Sequence, residues 1–153
     1  MIAVEAYDWH RDLIADRFDL YDKRVGPRIM HGSTVLAADY VAAMRTISDC
    51  RRRYDDALAD ADGIVTPTVP VLPPRVVEVE SLEAYLAMNT DVLRLTEFAN
   101  RLDLPSITMP GGVGPGNPDD RSPVGLMLTG KRGEDAGLLD LAVLVERCIC
   151  STD

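Results

Sequence analysis

Apolar residues return at helical intervals along the first stretch of the chain, with Val4, Tyr7, Ile14, Phe18 and Tyr21 separated by aspartates and arginines. That period predicts an amphipathic helix, which Gly26-Pro27 should break. A second, longer amphipathic helix is predicted from Ala37 to about Asp60, striped by Tyr40, Met44, Ile47, Tyr54 and Leu58. The pattern then changes. Asp62 to Thr68 reads as a short buried strand entering a rigid turn, and Val69 to Val79, with Pro70, Pro73 and Pro74, should be extended and irregular.

Ser81 is positioned to cap a third helix from Leu82 to about Leu102, with Glu83 in its first turn. Leu104-Pro105 should end it. Ser106 to Met109 is predicted as a second strand, stopped by Pro110-Gly111-Gly112, and Val124 to Gly130 as a third. A last helix begins near Glu134, striped by Leu138, Leu141, Val145 and Cys148 or Ile149. Helices flanking a few short apolar strands define an α/β fold in one domain, residues 1–153. Three strands buried on both faces should also have their edges occupied, so the pattern implies part of something larger.

Composition narrows the choice of function. At 46% hydrophobic and 27% charged residues the chain is ordinary for a soluble protein, and no apolar run reaches bilayer length. The N-terminus has neither the basic nor the apolar region of a secretory signal, so a cytoplasmic location is expected. A net charge of -9 argues against nucleic acid as the main partner. The one basic cluster, Arg51-Arg52-Arg53, is followed by Asp55, Asp56 and Asp60 and reads as a solvated helix face with local charge pairing. Three cysteines, Cys50, Cys148 and Cys150, form no disulfide framework. With His10 and His31 as the only histidines, no metal or other cofactor is expected.

Candidate chemistry is sparse. The third helix should turn Tyr85, Asn89, Val92, Thr96 and Ala99 inward, with Asn100 beyond. Polar residues on such a stripe either tie down backbone or border a wet pocket. The run Gly111 to Gly116 lacks the following helix and the lysine of a phosphate loop, and reads as a surface loop. Neither histidine accompanies a nucleophile-elbow sequence.

Three ordered blocks carry a resemblance. Asp62-Gly63-Ile64-Val65-Thr66-Pro67-Thr68-Val69-Pro70, the run Thr96 to Gly112, and Pro123-Val124-Gly125-Leu126-Met127 resemble consecutive blocks in the C-terminal half of the amidase signature enzymes. Glu5-Ala6, Arg28, Gly32, Asp39-Tyr40 and the final helix with Asp135, Leu138, Leu139 and Glu146 fall where the family has such residues. The resemblance therefore spans nearly the whole chain.

That family cleaves amides with a Ser–Ser–Lys triad carried in its N-terminal half. No such glycine- and serine-rich segment occurs here, and the two lysines, Lys23 and Lys131, lie elsewhere. The resemblance thus implies no catalytic residue in this chain. It implies instead a half that supplies strands and helices of a larger mixed sheet and a wall of the pocket for a small amide. The partner would be an N-terminal half or catalytic chain, with homo-oligomerisation possible. Substrate contact is implied for Tyr7, Arg28 and Asn89. Met127 departs from the glutamine of many relatives, which removes any hydrogen bond made there. The alternative is a non-catalytic small-molecule-binding or regulatory module derived from an amidase.

Overall fold

A computed structural model describes residues 1–113 and 122–150, with the side chains of Val113 and Cys150 left out. Residues 114–121, which include part of the glycine-rich loop, and the orientation of Cys150 therefore lie outside the described residues. The chain divides into two compact units, Met1–Cys50 and Arg51–Asp153.

The first unit is helical. Helix α1 (Ile2–Asp16) stops where Arg17 leaves helical geometry at φ -135°, and a 3-10 turn, Phe18–Leu20, follows. The predicted stripe therefore bends at its end, with Phe18 in the turn and Tyr21 beyond it. Gly26-Pro27 start a helix, α2 (Gly26–His31), because proline in a first turn sacrifices only an amide that would be unpaired anyway. A second 3-10 turn, Gly32–Thr34, leads to α3 (Ala37–Ala57), whose last residues belong to the second unit. Ile14 and Ile29 are the buried anchors of the first unit.

The second unit is built on three antiparallel strands, β1 (Ile64–Pro67), β2 (Ser106–Val113) and β3 (Pro123–Thr129), in the order β1-β3-β2. Residues Val65, Leu128 and Ile107 lie across from one another, as do Thr66, Met127 and Thr108. Strand β2 does not stop at Pro110. It passes through Pro110-Gly111-Gly112 with an irregularity before Val113, which an edge strand tolerates because one row of its amides needs no partner. The stretch predicted to be irregular also contains a 3-10 turn, Val76–Val79, started by Arg75 N–H donating to Glu78 Oε2 at 2.9 Å.

The predicted third helix is two helices. Helix α4 (Leu82–Leu93) is capped as expected, Ser81 Oγ accepting from Ala84 N–H at 3.1 Å. Helix α5 (Thr96–Leu102) begins after a break at Arg94-Leu95. There Arg94 N–H bonds three residues back to Asp91, and the Thr96 hydroxyl donates to Leu93 O at 3.3 Å, a local bond that competes with helical continuation. Asp103 closes α5 in the left-handed region at φ 63°. Finally α6 (Asp135–Cys150) packs on β2 and β3, burying Leu138 and Ala142 against Met109 and Leu128. No helix among the described residues is long and apolar enough to cross a membrane.

Candidate functional site

In the first unit, Gly32 sets where Tyr7 sits. A Cβ at Gly32 would lie 1.9 Å from the Ala3 carbonyl oxygen and 2.7 Å from Tyr7 Cβ, so only glycine lets this turn press against α1. Tyr7, half-buried, lines a cleft of about 330 Å³ with Arg11, Ile14, Ala15, Phe18 and Met30. Its floor is apolar. Its one cation, Arg11, is exposed and lies 3.4 Å from Asp8 and 3.8 Å from Asp12. Arg28 is exposed in the last turn of α2, where a cation complements the helix dipole, and it does not line this cleft.

Hydroxyls tie the same unit together. Tyr21 meets His10 Nδ1 at 2.8 Å, and Tyr40 donates to Glu5 Oε1 at 3.1 Å. The Glu5 carboxylate accepts from the neutral Tyr40 phenol and holds its pKa above the ordinary tyrosine value. His31 Nδ1 lies 3.3 Å from Thr34 Oγ1. The hydrogen bonds of both histidines thus run to a tyrosine and a threonine.

In the second unit the inward stripe survives the helix break: Tyr85, Asn89, Val92 and Thr96 are half-buried and Ala99 is buried. Thr96 is spent on backbone. Asn100 is exposed and lines a groove of about 330 Å³ with Asp103, Pro105, Arg132, Gly133 and Asp135. Asn89 lies on α4, away from that groove's lining. Tyr7 and Arg28 thus belong to one compact unit and Asn89 to the other.

The walls of the Asn100 groove are held by one face of α3. Arg51 Nε donates to Leu102 O at 3.0 Å, Tyr54 Oη donates to Gly130 O at 3.0 Å, and Asp55 accepts from Arg132 at 2.7 Å. Burial, with the Asp55 charge second, pushes the Tyr54 phenol above its usual pKa. The basic cluster was expected to pair locally. Arg51 and Asp55 instead reach residues far along the chain, because their spacing of four aligns them with Tyr54 on one helix face.

The sheet face carrying Met127 and Thr129 is rich in hydroxyls. Thr68 donates to Thr108 at 3.2 Å, directly over Gly125, where a Cβ would come within 2.5 Å of Thr68 Oγ1. Ser106 meets Thr129 at 2.9 Å. The Thr66 hydroxyl, across from buried Met127, is buried with no partner among the described residues. The Met127 thioether, at best a weak acceptor, makes no hydrogen bond to it.

The described residues thus form a mixed α/β arrangement with a small antiparallel sheet. Residues 3–139 match the family model described as Amidase, and the chain belongs to the amidase family. It is 30% identical over 128 residues to 2-amino-5-chloromuconic acid deaminase of Comamonas testosteroni, covering 84% of this chain and 27% of that protein. It is 29% identical over 147 residues to a glutamyl-tRNA(Gln) amidotransferase subunit of Halobacterium salinarum, covering 92% of this chain and 32% of that protein. Among solved structures, a crystal structure of an amidase superposes with a TM-score of 0.79 over 96% of this chain and 33% of its own, at 22% identity. An allophanate hydrolase of Kluyveromyces lactis superposes at 0.76 with 28% identity, over 92% of this chain and 22% of its own. The chain spans about a third or less of the relatives it matches.

Proposed function

We propose that this chain acts as the C-terminal part of an amide C–N hydrolase, completed by an N-terminal portion that carries the Ser–Ser–Lys triad. The observation that carries the reading is the family match over residues 3–139 in a chain that spans under a third of the deaminase and of the amidotransferase subunit. In this reading both compact units act as one domain. The second unit supplies strands to a larger sheet, and the chain supplies a wall to the pocket of a small amide, with Tyr7, Arg28 and Asn89 as the substrate-contacting side chains. The half-buried Tyr7 phenol over an apolar floor suits an uncharged amide with a small apolar group.

The test is reconstitution. The chain is mixed with the Comamonas deaminase from which the matched segment has been removed, and hydrolysis of a panel of small amides is followed by ammonia release. Activity in the mixture, and in neither part alone, is expected. Activity of the 153 residues by themselves would overturn the reading.

The Tyr7 cleft favours a second reading, a non-catalytic module that binds a small molecule. It predicts thermal stabilisation of the isolated chain by small amides or carboxylates, abolished in Tyr7→Ala. A flat response across the panel counts against it.

A further inference from the structure

One face of the sheet is only partly covered. The row Ile107, Leu128 and Val65 runs across β2, β3 and β1, and α6 covers its first two members. Leu128 is 2% exposed, whereas Val65, on the same face of the next strand, is 55% exposed. Pro67, across from Leu126, is exposed beside it. Spacing explains the gap. Strands lie about 4.8 Å apart and a helix is about 10 Å wide, so one helix roofs two strands and leaves the third bare.

Helix α6 carries the complementary signal. Its sheet-facing stripe, Leu138, Leu141, Ala142 and Val145, accounts for only part of its apolar surface. Leu139 and Val143 stand exposed on one flank and Leu144 on the other. A surface helix shows one apolar stripe; a helix apolar on both flanks belongs in the middle of its layer. Asp140 and Glu146 border these flanks, in a chain of net charge -9.

We propose that the shelf made by β1 and a flank of α6 seats a helix from the rest of the amidase fold. That helix has an apolar face toward Val65 and basic residues along its rims. It lies beside α6 at the usual helix spacing of about 8–10 Å. The occupant is assigned to the rest of the fold because the matched part is 27% of the deaminase and 32% of the amidotransferase subunit, and because an acidic rim repels a second copy of itself. The proposal rests on the reading that this chain needs the remainder of an amidase.

The experiment uses the full chain and the truncated Comamonas deaminase, with affinity read by calorimetry. Val65→Asp and, independently, Leu144→Glu, on the flank of α6 toward β1, should each weaken the complex by at least about tenfold, since either would bury a charge. Both positions are exposed in the free chain, so circular dichroism of each variant should match the parent. Val76→Asp, on the exposed 3-10 turn that packs against α4, should leave affinity unchanged. A complex that ignores both shelf variants overturns this proposal and leaves the functional reading standing. No complex at all overturns both. Self-association of the chain that Val65→Asp abolishes would assign the shelf to a second copy, and would also overturn the proposal.

Discussion

Replacing Tyr54 with phenylalanine tests how the second unit is held. The ring stays, with its tilted contact to Phe98 at 6.4 Å, and only the hydroxyl is lost. That hydroxyl donates to Gly130 O at 3.0 Å and lies 3.5 Å from Thr129 O, at the point where the central strand leaves the sheet. The net value of one such bond is about 1 kcal/mol, rising to about 2 if the buried Gly130 carbonyl is left without another donor. With a urea m-value of about 1–2 kcal/mol/M for a unit of this size, the midpoint should fall by roughly 0.5–2 M at pH 7. The pH dependence is the sharper readout. The folded-state pKa of Tyr54 is raised, so above the ordinary tyrosine value the unfolded chain loses its proton first, and the folded state binds more protons. Stability from this group is therefore complete below about pH 10 and lost as pH rises through the folded pKa. Urea titrations of parent and Tyr54→Phe at pH 7 and about pH 10.5 should show the gap between them narrowing at the higher pH. An equal midpoint at pH 7, or a gap that widens, refutes the reasoning.

Gly32→Ala should destabilise the first unit by about 2–4 kcal/mol, because a backbone carbonyl, not a flexible side-chain end, blocks its Cβ; faster amide exchange in α1 would report it. Thr66→Val removes a buried hydroxyl without a partner among the described residues, and should be neutral or stabilising by up to about 1 kcal/mol in thermal melts. A loss above that size would mean that the hydroxyl is bonded in solution. The Arg132–Asp55 pair is more than 40% exposed on both sides, so a double-mutant cycle should give a coupling of only about 0.5 kcal/mol, falling with added salt.

Periodicity located most elements, because a buried stripe leaves its spacing in the sequence whichever neighbour covers it. Ser81 announced the start of α4, since a cap is a local bond between residues three apart. The break at Arg94-Leu95 was illegible: no glycine or proline marks it, and the bonds found there, Arg94 N–H to Asp91 O and the Thr96 hydroxyl to Leu93 O, are local ones that an unbroken helix can also accommodate. Proline misled twice, at Pro27 and Pro110. Its effect depends on whether the missing amide would have been used, and that is set by helix position and by strand order. Of the candidate residues, Tyr7 lines a cleft; Met30, which joins it there, was not legible, because a helix starting at Gly26-Pro27 leaves no apolar period of its own in so short a stretch. The reach of Arg51 and Asp55 across the fold could not be read from a cluster that also satisfies local pairing.

The strand order β1-β3-β2 has a consequence for how the chain is made. The two outer strands emerge first and cannot pair with each other in this order; both wait for the strand between them. No native ladder forms until β3 is being synthesised, and completing the β1–β3 pair joins Ile64 to Thr129 across most of the second unit. Such non-local pairing makes the sheet a slow, late event in folding, paid for in loop entropy before any strand contact rewards it. Until then Val65 and the long apolar edge of β2 are open to other chains. The nascent protein's exposure to misassembly is thus written into the position of its last strand.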